Sequence, residues 1–186
     1  MGKSIRKYSP RSITEISLMA IFTAVAAQIY IPISPVPITL QVLAVLLSGA
    51  VLGSKHGAYS QILYIFLGLI GLPIFAGLKG GFQEILSPSF GYALAFPLAS
   101  LITGLAHKSS SRLKSLFIFV CALIPIYLIG MGYLYIMFRF IILKPISFSG
   151  ILAMGFLPFI LPDILKTLLA LLIFIRLKPL IQRRSI

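Results

Sequence analysis

The sequence predicts an all-α integral membrane protein with six transmembrane helices, and three observations carry that expectation. Hydrophobic residues make up 59% of the 186-residue chain and charged residues only 10%. A soluble domain carries about a quarter charged residues, so the polar surface here is too small to cover a water-soluble globule. Apolar runs of helix-spanning length recur along the whole chain, which makes lipid the solvent for most of it. The 16 Lys and Arg, against 3 Asp and Glu, sit mostly at the edges of those runs. That is the pattern of topology signals and contacts with anionic membrane lipid, and no nucleic-acid partner is expected. One membrane domain over 1–186 follows: a basic N-terminus at 1–12, a bundle at 13–176 and a basic C-terminus at 177–186.

The first span is expected over 13–31. The preceding basic residues look like the start of a signal peptide, but the apolar stretch is too long and lacks a small-residue cleavage site, so it reads as retained. The segment IPISPVP ends this span, because its prolines cannot continue a helix. A second span covers 38–53, and the turn GSKHG leads to a third over 58–72. The stretch GLPIFAGLKGGFQEILSPS reads as an ordered loop, and a fourth span follows over 90–106. HKSSSRLK is a basic turn before a fifth span over 115–137. FRFIILKPISFSGILAMG fits either a loop or an interfacial helix. The last span starts at Pro158 or Pro162, since proline is tolerated in a first helical turn, and ends near Arg176.

With the N-terminus in the cytoplasm, the inner segments hold Lys3, Arg6, Lys7, Arg11, Lys55, Lys108, Arg112, Lys114, Arg176, Lys178, Arg183 and Arg184. The outer segments hold only Lys79, Arg139 and Lys144. The asymmetry predicts cytoplasmic termini and places the 32–37 and 73–88 loops together on the outer face.

Asp163 and Lys166 are the most informative residues. Both lie inside the last span, where a charge is costly unless paired or hydrated. Three residues apart, they share one helix face. Thirteen residues separate Asp163 from Arg176, roughly 20 Å of helix, which sets the pair in the outer half of a core about 30 Å thick. A polar binding site opening outward is the favoured reading; an ion pair holding helices together is the alternative. The outer loop adds Lys79, Gln83 and Glu84, with Tyr92 after it. Gly77, Gly80 and Gly81 permit positive φ and close approach of backbone to a ligand, or simply turn the chain. Thr39 and Gln41 open the second span, and Gln41 suits either a ligand or an interhelical hydrogen bond. In the first span Ser17, Ala20, Ala24 and Ala27 form a stripe of small residues for a closely packed helix, within this chain or from a partner.

Cys121, in an apolar run, reads as a packing residue. His56 and His107 have no ligating neighbours in sequence, so no metal site is expected. No G-x-x-x-x-G-K-[ST], H-E-x-x-H or G-x-S-x-G occurs, so the chain carries no P-loop ATPase and no recognisable hydrolase centre.

PVPITLQVLAVLLSGAVLG (35–53), GLIGLPIFAG (68–77), the glycines at 80 and 81, the Gly91–Tyr92 pair and LPFILPDILKTLLA (157–170) together resemble the BioY family. These are the biotin-specific substrate-binding (S) components of energy-coupling-factor (ECF) transporters. The resemblance implies a six-helix S-component fold in a prokaryotic-type plasma (inner) membrane and a site near the outer face. It also implies partners: a transmembrane coupling protein and two cytosolic ATPases, which alone use ATP, so no cofactor is expected on this chain. The family's D-x-x-K falls on Asp163 and Lys166, its loop glycines on Gly77, Gly80, Gly81 and Gly91, and its tyrosine on Tyr92. Its helix-one alanine motif, which docks the coupling protein, falls on Ala20 and Ala24. Where the family carries a G-P-T-G-G-Y-like segment this chain reads SPSFGY, and GLKGG carries a lysine. Biotin's ureido ring and carboxylate suit Asp163 with Lys166 or Lys79, and Phe75, Leu72 and Ile38 are expected as apolar walls. The alternatives are an uncoupled transporter, a transporter for another vitamin, and a membrane-embedded enzyme.

Overall fold

The computed structural model describes residues 9–109 and 111–183. Its main helices are α1 (Pro10–Gln28), α2 (Gln41–Leu52), α3 (Ser54–Leu69), α4 (Phe90–Thr103), α5 (Arg112–Cys121), α6 (Leu123–Ile136), α7 (Phe148–Gly155) and α8 (Leu157–Arg183). A break at Ala122 divides α5 from α6 within one apolar stretch, Arg112–Ile141. Another at Phe156 divides α7 from α8 within Phe148–Ile181. Counting those stretches once each, six helical spans form the bundle among the described residues. Of these, Phe90–Lys108, Arg112–Ile141 and Phe148–Ile181 are by themselves long and apolar enough to cross a membrane.

The shortest span is the most enclosed. All ten residues at 41–50 of α2 are buried, and α2 packs against α1, α3, α4 and α8. Its 12 residues reach only about 18 Å. A short helix is tolerated at membrane depth because protein, not lipid, surrounds its ends. Close packing here depends on glycine: a Cβ on Gly57 would overlap the Gly49 backbone, and one on Gly49 would overlap the Ser100 carbonyl. Polar bonds add to this contact. Gln61 Nε2 donates to Thr23 Oγ1 (3.1 Å) and Ser48 Oγ (3.0 Å), and Ser48 meets Ser100 at 2.8 Å, so one buried network ties α1 to α4. Such bonds hold helices together where lipid offers no competing partner.

The outside of the bundle is apolar. On α8, Leu161, Leu165, Leu168 and Leu172 are exposed, whereas Asp163, Lys166, Thr167, Ala170 and Phe174 are buried. This inside-out arrangement is what a lipid solvent selects.

Several boundaries differ from the expected ones. The proline segment closes a hairpin of β1 (Tyr30–Ile31) and β2 (Ile38–Thr39), antiparallel with Tyr30 opposite Thr39, and its Ser34–Pro35 peptide is cis. The first span therefore ends at Gln28, and the second begins at Gln41. The third span runs from Ser54 to Leu69, because Gly53 (φ 80°) turns the chain at once. The ambiguous segment after α6 divides into a π turn at Met137–Ile141, an irregular stretch, and α7, capped by Ser147 accepting from the Gly150 N–H. The last helix starts at Leu157 and continues past Arg176 to Arg183, because backbone hydrogen bonding does not stop where apolar side chains do. Lys3, Arg6, Lys7 and Arg184, used in the orientation argument, lie outside the described residues, as does the side chain of Arg183.

Candidate functional site

The 29–40 hairpin, the loop between α3 and α4, the first turns of α2 and α4, the first three turns of α8, and side chains of α3 and α6 surround a cavity. Cavity and mouth together enclose about 690 Å³ of space, the open mouth included.

Asp163 and Lys166 form one wall. They lie in the second and third turns of α8, on its buried face. They are 2% and 8% exposed, and Lys166 Nζ donates to Asp163 Oδ1 at 2.6 Å. Asp163 Oδ2 accepts from the Tyr127 hydroxyl of α6 at 2.7 Å. The carboxylate thus has one donor on each oxygen and keeps free lone pairs, and the ammonium keeps two N–H groups. Elsewhere on the lining, Gln41 Oε1 accepts from Thr39 Oγ1 (2.9 Å) and Gln41 Nε2 donates to the Tyr64 hydroxyl (2.7 Å). Tyr64 in turn donates to the Ile74 carbonyl (3.3 Å). Aromatic rings also line the cavity. Phe75 stands edge-on to Tyr64 and Phe90, with centroids 5.5 and 6.2 Å apart, and Tyr92 packs beside Phe159 at 6.0 Å. The cavity is apolar for most of its surface, with few directed polar groups.

Gln41, Phe75, Tyr92, Asp163 and Lys166 all line this cavity. Tyr92 presents its ring, since its hydroxyl donates to the Gly155 carbonyl at 2.7 Å. Lys79, Gly77 and Gly80 do not line it. Lys79 is exposed, and its ammonium stays in the open, where hydration costs least. Gly77 (φ 77°) turns a tight hairpin in which Phe75 and Lys79 pair, and Leu78 beside it also has positive φ (57°). Gly80 has no Cβ because the Leu72 carbonyl occupies that space, so its close approach is to the chain itself. Gly91 likewise makes room for Tyr133 of α6. Leu72 and Ile38 are not among the wall residues; Val36, Pro37 and Phe96 are.

Ala20 is 2% exposed and sits in the core of this chain. Its methyl is thus covered by its own bundle rather than open to a partner. Ala24 is half-buried.

Sequence reasoning missed Tyr127 and Tyr64. One signal was present: a tyrosine inside an apolar span needs a partner for its hydroxyl, and Asp163, an acid deep in the last span, can accept from it.

Comparison with known proteins agrees with this geometry. The BioY family model matches residues 2–183. The probable biotin transporter BioY of Pyrococcus horikoshii is 45% identical over 167 residues, covering 88% of this chain and 96% of that protein. The biotin transporter BioY of Thermotoga maritima is 43% identical over 164 residues, covering 86% and 93%. The crystal structure of an S-component for biotin from an ECF-type ABC transporter superposes with a TM-score of 0.78 at 28% identity, covering 91% of both chains. With its apolar helical spans and a family match over nearly its whole length, this multi-pass membrane chain belongs to the BioY family.

Proposed function

We propose that this chain captures biotin at the outer side of a prokaryotic plasma membrane and delivers it inward as the S component of an ECF transporter. Its partners in this reading are a transmembrane coupling protein and two cytosolic ATPases. The observation that carries the reading is the buried Asp163–Lys166–Tyr127 group opening into an aromatic cavity. Biotin pairs a neutral ureido ring, with two N–H donors and one carbonyl, with an apolar thiolane and tail ending in a carboxylate. The free lone pairs of Asp163 suit N–H donors, and the unused N–H groups of Lys166 suit an oxygen acceptor. The rings of Phe75, Tyr92 and Phe159 suit the apolar body. The relatives' function as biotin transporters supports the same ligand. Capture and release need no covalent step, and the chain acts as a transport component rather than an enzyme.

The test is uptake of labelled biotin by cells lacking their own biotin uptake and synthesis. Expression of this chain with an ECF module should restore uptake, and the Asp163→Asn, Lys166→Met double variant should not. Equal uptake with the double variant would refute the assignment of this cavity.

A further inference from the structure

One side chain outside the cavity holds the cavity wall in place. Gln28 is the last residue of α1. Its Nε2 donates to the carbonyls of Ile74 (3.2 Å) and Phe75 (3.1 Å) as well as to Ala24 of its own helix (3.2 Å). Its Oε1 accepts from the Leu78 N–H at 3.0 Å. One amide therefore grips both arms of the hairpin whose ends are joined by Phe75 N–H to Lys79 O (2.9 Å) and Lys79 N–H to Phe75 O (3.3 Å).

That hairpin cannot be expected to hold its shape unaided. Leu78 has φ 57°, a conformation unfavourable for any residue with a Cβ, and it follows Gly77 at φ 77°. Outside the Gln28 grip, the Gly81 N–H just past the hairpin bonds the Gly68 carbonyl of α3 at 2.7 Å, and the Tyr64 hydroxyl reaches the Ile74 carbonyl at a long 3.3 Å. Phe75, itself gripped, and Ala76 beside it line the cavity, and Phe75 closes against Tyr64 and Phe90. Gln28 touches none of the cavity itself.

We infer that Gln28 is a positioning residue that pins the Phe75–Lys79 hairpin as a wall of the ligand cavity and thereby sets how long ligand is retained. The inference rests on reading the cavity as the biotin site. It also gives α1 a mechanical role. The same helix carries the exposed apolar residues Leu18, Ile21 and Val25, so a shift of α1 would be felt at the hairpin through one side chain.

The test uses the full chain purified in detergent. Gln28→Met keeps an unbranched side chain of similar length and loses all four bonds. Gln28→Asn keeps the amide but is one methylene short of the hairpin. Both should raise the biotin dissociation rate by roughly 10-fold or more, the loss expected when one or more neutral hydrogen bonds go, with the ligand-free melting temperature nearly unchanged. Hydrogen exchange in ligand-free protein supplies a readout that needs no biotin: the Phe75 and Lys79 amides, which bond each other's carbonyls and not Gln28, should lose protection in both variants. Unchanged dissociation in both, or faster dissociation with unchanged protection of those amides, would overturn the inference. If the wild-type chain binds no biotin, the ligand reading fails, and the exchange data alone then decide whether Gln28 pins the hairpin.

Discussion

Asp163→Asn removes one negative charge while keeping the side-chain shape. In the wild type the carboxylate accepts from Lys166 at 2.6 Å and from Tyr127 at 2.7 Å, with both members of the ion pair nearly sealed from solvent at 9% and 3% side-chain exposure. Because the pair is buried, solvent screening gives little relief. Breaking such a pair from one side costs about 3–5 kcal/mol, since the other charge is left uncompensated. The ligand term is separate. A hydrogen bond to a charged group contributes about 1.5–3 kcal/mol, so affinity for biotin should fall roughly 10- to 150-fold. Lys166→Met keeps most of the stem and removes the donor, and a similar loss is expected. The double variant separates the two contributions. It leaves no orphaned charge, so its thermal stability should recover above that of either single variant, while binding stays weak. Equilibrium binding of labelled biotin to monodisperse protein, read beside the melting temperature, is the assay. Near wild-type affinity in both single variants would refute the reasoning and make the pair a purely structural tie between α8 and α6.

Three further outcomes are expected. Tyr127→Phe removes the donor to Asp163 Oδ2 and should weaken biotin binding about 10-fold, measured by the same equilibrium assay; an unchanged affinity would mean that the hydroxyl does not orient the carboxylate. Ala20 and Ala24 should behave differently: Ala20→Leu overpacks a buried position and should cost about 1–3 kcal/mol of stability, whereas Ala24→Leu should impair ECF-dependent uptake with binding retained, and loss of binding in the latter would place that side chain in internal packing. A reporter fused at the C-terminus should show a cytoplasmic location, as the basic asymmetry requires, and an external signal would reverse the orientation.

The helical organisation was largely open to sequence reasoning because burial in lipid and burial in protein both demand apolar runs. The ends of those runs were less legible. Arg176 marks where α8 leaves an apolar environment, yet the helix continues to Arg183, and charge says nothing about backbone bonding. The 29–40 hairpin was hidden because prolines announce only that a helix stops. At the cavity, Asp163 and Lys166 stood out because charges are rare in spans, and their spacing of three put them together. Tyr127 did not, since its partner lies 36 residues away and Tyr133 and Tyr135 look alike in sequence. Lys79 was nominated by its charge and its loop, but the hairpin leaves it exposed. Gln28 carried no signal at all, because three of its four bonds depend on where a loop 46 to 50 residues later folds back.

The most direct measurement is a titration of the purified wild-type chain with biotin in detergent, followed by recovery of the ligand. Saturable binding of one biotin per chain, released chemically unchanged, is the expected result. Absence of saturable binding, or recovery of a modified ligand, would contradict the assignment of the cavity as a biotin-capture site.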